Sequence, residues 1–273
     1  MDLSQEKNDK ETVPCLLAGD FYFNIMDIKQ YLDSTYLKTA EQAGLSDAQN
    51  RDVVRAAVHE AIHEGFKLVM IRPDMVAMGR QMVDDARSKV LVGTVIDFPQ
   101  GRAALEEKLA EAEQAIADGA DDLDFVVDYK AYREGDVDKI KQQVLECTRL
   151  GLSKGKTVKW IIEVAALDDH QIVHLSALIK NVVMMHFEEQ YYSRVFVKSS
   201  TGFYKTEAGK ANGATVPTIK LMLENAYPLS VKAAGGVRSY EEAIEMIALG
   251  VKRIGTSSAK AIAEGETAGN SGY

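Results

Sequence analysis

The chain has 273 residues, of which 46% are hydrophobic and 27% are charged, so its composition is that of a globular protein with a large core. Its formal net charge of −9 argues against a surface that binds nucleic acid or an anionic membrane, because both attract basic proteins. Cys15 and Cys147 are the only cysteines and lie far apart. They indicate neither a disulfide framework nor a zinc ribbon, and they favour a cytoplasmic location.

The two ends of the chain are expected to be tails. Residues 1–13 are polar and lack the apolar core of a signal peptide. No later apolar run approaches the length needed to span a membrane. We therefore expect flexible tails at 1–13 and 265–273 and one domain between them, from 14 to 264.

Eight short apolar segments alternate with longer stretches of helical period along this domain. Such alternation is typical of parallel strands joined by crossover helices. The predicted strands are Gln30–Thr35, Lys67–Ile71, Lys89–Asp97, Asp122–Asp128, Thr157–Glu163, Arg194–Ser200, Leu229–Gly235 and Arg253–Ser258. Eight strand–helix units predict an α/β fold that closes into a single (β/α)8 TIM barrel.

Local signals between the strands predict where helices begin and end. Two capping boxes predict helix starts, and they begin at Ser46 and Ser239. Four glycines are predicted to end helices before the next strand, namely Gly65, Gly119, Gly151 and Gly250. The segment Ala103–Asp118 predicts a helix with one buried stripe, and Lys108 is placed on its polar side.

Charged side chains interrupt three of the predicted apolar strands. Lys198, Lys232 and Asp124 each stand within such a strand, and Asp122 and Asp128 share the face of Asp124. A single strand-end lysine is commonly ion-paired or reaches solvent. Two lysines inside one barrel would repel each other, and burial with like charge lowers an amine pKa toward neutrality. The pattern therefore predicts an amine that attacks carbonyl carbons.

The fifth predicted strand carries a further pair of charges. Lys159 and Glu163 lie on one face of that strand. They are compatible with an ion pair that orients the other charged groups, and also with a purely structural pair.

Two glycine turns follow the seventh and eighth predicted strands. Glycine allows close approach of the backbone to an anion, and the amides of a following helix favour negative charge. TIM barrels often hold phosphate at this place. The predicted phosphate-binding residues are Gly202, Gly235, Gly236, Arg238, Gly255, Ser257 and Ser258.

A competing motif is the HExxH sequence that begins at His59 and ends at His63. Two imidazoles at this spacing on a helix bind zinc in metalloproteases. Here both histidines fall on the polar side of the predicted helix, opposite an apolar stripe, which favours a chance match on a solvent-exposed face. No metal ligand set is predicted.

Seven motifs, taken in chain order, resemble the deoxyribose-phosphate aldolase family, and they span nearly the whole chain. They are LDSTYLK at 33–38 with its preceding leucine, TVIDFPQG at 94–101, GADDLDFVVDY at 119–129, VKWIIE at 158–163, FVKSSTGF at 196–203, VKAAGGVRSYEEA at 231–243 and IGTSSA at 254–259. The resemblance implies a metal-independent class I aldolase without a cofactor. Its implied reaction cleaves 2-deoxyribose 5-phosphate to acetaldehyde and glyceraldehyde 3-phosphate during deoxynucleoside breakdown.

The resemblance also implies roles for individual residues. Lys198 is expected to form the Schiff base, Lys232 to lower its pKa, and Asp124 to transfer protons. Asp33 matches the aspartate of the family's first strand and is expected to bind substrate. Tyr273 matches the terminal tyrosine of some members, which assists proton transfer. A homo-oligomer, dimer or tetramer, is the expected assembly.

Three positions depart from the pattern of the family. Met70 replaces a cysteine that the chemistry does not need, and Asp97 stands where glycine or asparagine is commoner. Phe203 replaces a lysine that holds phosphate in some members, and Lys205 is a candidate substitute.

Three alternatives remain open at this stage. A sister class I aldolase would act on another phosphorylated sugar through the same lysine. A zinc hydrolase would use His59 and His63, and chelators would inhibit it. A phosphate-binding barrel without catalysis would not form an adduct with substrate at Lys198.

Overall fold

A computed structural model of the chain describes residues 27–207 and 211–265. Cys15, the predicted tail at 1–13 and Tyr273 lie outside the described residues, as does the predicted tail at 265–273 apart from Gly265. Eight parallel strands form a closed barrel in which each strand pairs with the next and the first pairs with the last. The strands are β1 Leu32–Thr35, β2 Leu68–Ile71, β3 Leu91–Ile96, β4 Asp122–Val126, β5 Thr157–Ile161, β6 Val195–Lys198, β7 Ser230–Ala234 and β8 Arg253–Thr256. The predicted (β/α)8 barrel is confirmed.

The observed strands are shorter than the predicted ones, mainly at their carboxyl ends. Asp128 caps the helix that follows β4, since its side chain accepts a hydrogen bond from the Ala131 amide. Glu163 has a left-handed backbone, with φ of 55°, which ends the extended conformation after β5. These polar residues belong to the loops at the carboxyl edge of the barrel, where TIM barrels carry their active sites.

Every strand is followed by helical structure that covers the outside of the barrel. The helices are α1 Ala40–Ala43, α2 Asp47–Glu64, α3 Val76–Asp85, α4 Leu105–Ala117, α5 Tyr129–Arg133, α6 Val137–Ser153, α7 Asp169–His186, α8 Val216–Ala226, α9 Tyr240–Leu249 and α10 Ala259–Ala263, with short 3-10 turns at Ile28–Tyr31, Pro73–Met75, Val164–Ala166 and Glu189–Arg194. None of the helices in the described part of the chain is both long and apolar enough to cross a membrane.

Strand alternation separates the apolar residues into an outer and an inner layer. Val69 and Ile71 point outward into the large core between strands and helices. Leu68 and Met70, on the opposite face of the same strand, belong to a small apolar cluster. Most of the hydrophobic stabilisation therefore comes from the outer layer, and the barrel interior has room for charged side chains.

The capping predictions are largely confirmed, with one correction. Ser46 and Ser239 form their capping boxes, and Gly65 and Gly250 end helices in the left-handed conformation. Gly119 has a positive φ of 97° and directly follows Asp118, the residue that caps α4, so it also lies at a helix end as predicted. The prediction for Gly151 is wrong, because this glycine lies inside α6. A Cβ there would come within 2.3 Å of the Val158 side chain, so close packing of helix and strand explains this glycine.

The position predicted for Lys108 of α4 from the sequence pattern is also wrong. Instead of facing solvent it is completely buried, and its ammonium group lies 3.2 Å from Asp97 Oδ2. It also donates a hydrogen bond of 2.6 Å to the carbonyl of Val126. Asp97 compensates the buried charge, which a periodicity argument on one helix does not anticipate.

Candidate active site

The register of four adjacent strands brings the predicted catalytic side chains together. Asp124 of β4 is the direct neighbour of Lys159 on β5. Lys198 of β6 is in turn the direct neighbour of Lys232 on β7. All four residues are almost completely buried. The prediction that Lys198, Lys232 and Asp124 face one interior is confirmed.

Asp124 is the centre of the cluster. Its Oδ2 atom accepts hydrogen bonds from both catalytic candidates, at 2.9 Å from Lys198 Nζ and 3.0 Å from Lys232 Nζ. Its Oδ1 atom accepts a hydrogen bond of 2.6 Å from Lys159 Nζ. One carboxylate thus holds three amines, and two of them converge on the same oxygen.

A second tier of charges extends the cluster toward β1 and β8. Lys232 Nζ lies 2.6 Å from Asp33 Oδ2, and Arg253 Nε donates a hydrogen bond of 2.7 Å to Asp33 Oδ1. Asp122 Oδ2 is 2.8 Å from Lys159 Nζ and 3.2 Å from Arg253 Nη2. Asp33 is therefore fully engaged with cations in the barrel interior, where it orients Lys232. This position does not support the predicted contact between Asp33 and substrate.

The charges of this network do not balance when every group is ionised. Among the described residues it contains four cations, Lys159, Lys198, Lys232 and Arg253, and three carboxylates, Asp33, Asp122 and Asp124. Neutral Lys198 would make the charges equal. An uncompensated buried charge is costly, so the network favours one neutral amine.

Lys198 is the amine of the network whose pKa is lowered, which favours its neutral form. Burial lowers its pKa most, Asp124 opposes that effect, and the positive charge of Lys232 lowers the pKa further, to about 8. For Lys159, burial also disfavours the charge, but Asp122 and Asp124 raise its pKa above the ordinary value. Burial and the like charge of Lys232 both lower the pKa of Lys198, as predicted, and burial is the larger cause.

Asp124 and Asp33 stay ionised. Burial by itself would raise the pKa of Asp124, but the charges of Lys159, Lys198 and Lys232 hold the pKa well below its usual range. Burial likewise opposes ionisation of Asp33, and Arg253 with Lys232 lowers the pKa of that carboxyl. Asp124 is therefore a hydrogen-bond acceptor in the free protein.

A cleft opens above Lys198 at the carboxyl edge of the barrel. Most of the predicted phosphate-binding residues line it together with Lys198, namely Gly202, Gly235, Gly236, Arg238, Gly255 and Ser257. Ser258 lies next to this lining and precedes α10. One cleft thus joins the amine to the two glycine turns.

The backbone on this side of the cleft depends on glycine. Gly235 and Gly236 have φ values of 80° and 95°, which side chains with a Cβ rarely adopt. Gly213, which the sequence analysis did not select, packs so closely that a Cβ would lie 2.3 Å from the Gly235 carbonyl oxygen. The Ala214 amide also donates a hydrogen bond of 2.7 Å to that oxygen. These contacts fix the first glycine turn.

Glu163 holds the loop that follows Lys198. Its carboxylate accepts a hydrogen bond of 2.8 Å from Ser200 Oγ, and further hydrogen bonds from the Thr201 amide and hydroxyl. The suggested Lys159–Glu163 ion pair is wrong, because Lys159 pairs with Asp122 and Asp124 instead. Glu163 belongs to the supporting structure of the cleft.

Lys205 and the two motif histidines lie away from this cleft. Lys205 lines a second cleft, on the other side of Thr201, so its position does not support the predicted phosphate contact. His59 and His63 are exposed on α2, as the helical pattern predicts. In the parts of the chain that the structure describes, no group of three or more histidine, cysteine or carboxylate side chains is arranged to hold a metal ion.

Comparison with known proteins agrees with this geometry. The sequence model of the DeoC/LacD aldolase family matches residues 37–270 of this chain. Deoxyribose-phosphate aldolase of Thermococcus gammatolerans is 37% identical over 241 residues, which cover 88% of this chain and 96% of the relative. The enzyme of the same name from Caldicellulosiruptor saccharolyticus is 34% identical over 238 residues, covering 86% of this chain and 96% of the relative.

A solved structure shares both the fold and part of the sequence. The tetrameric deoxyribose phosphate aldolase from Aeropyrum pernix superposes with a TM-score of 0.70 and 29% identity, over 87% of this chain and 89% of that structure. The matched region contains the four strands that carry Asp124, Lys159, Lys198 and Lys232. The chain belongs to the DeoC/LacD family of aldolases.

Proposed function

We propose that this aldolase is a class I deoxyribose-phosphate aldolase, which reversibly cleaves 2-deoxy-D-ribose 5-phosphate to acetaldehyde and D-glyceraldehyde 3-phosphate. The observation that carries the proposal is the charge network, which favours a neutral amine at Lys198. A neutral, desolvated amine at the base of a cleft is the nucleophile that such chemistry needs. The names of the relatives support the choice of substrate.

The reaction follows from an amine that attacks an aldehyde. Lys198 Nζ adds to carbon 1 of the open-chain sugar, and the carbinolamine loses water to form a protonated imine. This cation accepts the electron pair of the carbon 2–carbon 3 bond when that bond breaks, while the hydroxyl on carbon 3 loses its proton to a base. Glyceraldehyde 3-phosphate leaves, and protonation and hydrolysis of the remaining enamine release acetaldehyde and the free lysine.

Asp124 and Lys232 are proposed to serve the proton transfers. Asp124 Oδ2 lies within hydrogen-bond distance of both amines, so it can accept a proton from the nitrogen of Lys198 as the carbinolamine forms. Because the pKa of Asp124 is low, its protonated form is short-lived, and we propose that it passes the proton on to a bound water or to Lys232. The 5-phosphate of the substrate is proposed to bind at the two glycine turns and the loop after Lys198. The residues are Gly202, Gly235, Gly236, Arg238, Gly255, Ser257 and Ser258.

An assay of product release tests the proposal. Incubation with 2-deoxyribose 5-phosphate should release equal amounts of acetaldehyde and glyceraldehyde 3-phosphate, measured by coupled reduction of each aldehyde. No acetaldehyde from this substrate, with cleavage of a different phosphorylated sugar, would contradict the assignment and favour a sister aldolase. Cytoplasmic location, a place in deoxynucleoside breakdown, a homo-oligomeric assembly and the role of Tyr273 stay predictions that depend on this result.

The pH dependence gives a second prediction. Only neutral Lys198 attacks, so kcat/KM should rise with pH and level off above the amine pKa of about 8. Lys232→Leu removes a cation that lowers this pKa, so the variant should have a lower rate near neutral pH and a midpoint at higher pH. Lys232→Arg keeps the charge and should leave the midpoint close to that of the wild type. A Lys232→Leu profile with an unchanged midpoint would contradict this role.

A further inference from the structure

A second cleft opens on the same face of the barrel as the first. It is formed by the segments that follow β3, β4, β5 and β6, and its lining includes Arg102 after β3, Lys130 in α5 and Lys205 after β6. Thr201 lines both clefts. The loop after Lys198 therefore forms a wall between the proposed aldolase site and this second cleft.

The three cations of the second cleft have no carboxylate partner in the part of the chain that the structure describes. Within the described residues, neither Arg102, Lys130 nor Lys205 forms an ion pair, and all three are exposed. Nearby cations behave differently, since Lys108 pairs with Asp97 and Lys139 pairs with Asp128. Three cations around one cleft, unpaired among residues 27–207 and 211–265, stand out in a chain whose net charge is −9.

The acidic groups near the cleft do not cancel this charge. Asp97 and Asp128 are already paired with Lys108 and Lys139. The carboxylate of Glu163 lines the cleft, but it is buried and accepts hydrogen bonds from Ser200 and Thr201. Even if Glu163 is fully ionised, the three cations exceed it, and the cleft keeps a positive charge.

We infer that this second cleft binds a phosphate dianion, either inorganic phosphate or a phosphomonoester. A tetrahedral dianion accepts charge-assisted hydrogen bonds from several directions, which matches three cations that belong to three separate segments of the chain. Arg102 provides a planar fork of donors and the two lysines provide point charges. Gln100 and Tyr129 also line the cleft. This site is distinct from the glycine turns assigned to the substrate and does not depend on the reaction at Lys198.

Amide chemical shifts measured during a titration with inorganic phosphate separate the two sites by location. In the 15N-labelled full chain, amides of residues 100–102, 129–131 and 203–206 should shift together with one Kd. A parallel titration with glycerol 3-phosphate, a phosphomonoester, shows which kind of phosphate the cleft prefers. The probe with the lower Kd identifies inorganic phosphate or a phosphomonoester as the preferred ligand. The glycine turn at 235–238 reports phosphate binding in the first cleft independently.

Removal of the three cations provides the decisive variant. In Arg102→Gln/Lys130→Gln/Lys205→Gln, the Kd reported by the second cleft should increase by more than about tenfold, because three charge-assisted contacts to the dianion are lost. Shifts at 235–238 should keep their wild-type Kd. The control variant Lys89→Gln/Lys154→Gln/Lys252→Gln loses the same charge from exposed lysines before β3, β5 and β8, at the opposite end of the barrel. It should bind as the wild type does.

Two results would overturn the inference. One is the absence of any saturable shift in the second cleft with either probe. The other is an equal loss of affinity in the control variant, which would mean that net charge, not this cleft, attracts phosphate. Failure of the shifts at 235–238 alone would instead count against the phosphate assignment of the proposed function.

Discussion

Replacement of Lys198 by alanine is expected to reduce kcat for 2-deoxyribose 5-phosphate by at least about 10⁴-fold, the range seen when an enzyme loses its nucleophile. Lys198 is the only amine of the buried network that also lines the first cleft, among the residues that the structure describes. Lys159 and Lys232 do not line this cleft, so neither is placed to replace it. Coupled assays of acetaldehyde release measure the loss.

Lys198→Arg is the matched variant for charge. It keeps a cation next to Asp124 but has no amine that can form an imine, because guanidinium stays protonated. It should be as inactive as Lys198→Ala, and circular dichroism should show an intact fold in both. Turnover above about one hundredth of the wild-type rate in either variant would mean that Lys198 is not the nucleophile.

Replacement of Asp124 by asparagine is expected to damage both catalysis and stability. The variant loses the acceptor that holds three amines and leaves four cations against two carboxylates. Loss of one partner from a buried ion pair costs about 3–5 kcal/mol, which urea denaturation should detect. Loss of a general acid–base group should lower kcat by about 10²–10⁴-fold.

The pH profile separates Asp124 from Lys232. Asp124 raises the pKa of Lys198, whereas Lys232 lowers it. Asp124→Asn should therefore move the midpoint of kcat/KM to lower pH, and Lys232→Leu should move it to higher pH. Asp124→Glu keeps the charge and should retain more stability than the asparagine variant. Shifts of both midpoints in the same direction would contradict the electrostatic account.

The strands and the proposed catalytic residues were accessible from sequence because they depend on local patterns. Apolar segments of regular spacing predict strands, and strand alternation predicts that Lys198, Lys232 and Asp124 face one interior. The ends of the strands were less predictable. Glu163 and Asp128 extend apolar runs in the sequence, but hydrogen bonds to loop residues remove them from the sheet.

The second tier of the network depends on contacts between distant parts of the chain. Arg253 begins β8 and Asp33 lies in β1, and their pairing requires closure of the barrel. The preference of Lys159 for Asp122 and Asp124 over Glu163 likewise follows from the register of β4 and β5. A charge in an apolar strand was the available signal for Arg253, but only the closed barrel reveals its partners.

The central claim, that Lys198 forms a Schiff base with substrate, is tested most directly by borohydride trapping. The protein is incubated with 2-deoxyribose 5-phosphate and sodium borohydride, which reduces an imine to a stable secondary amine, and the modified peptide is mapped by mass spectrometry. The account predicts a single adduct on Lys198, absent from Lys198→Arg. An adduct on Lys159 or Lys232 instead, or an active protein that forms no adduct, would contradict it.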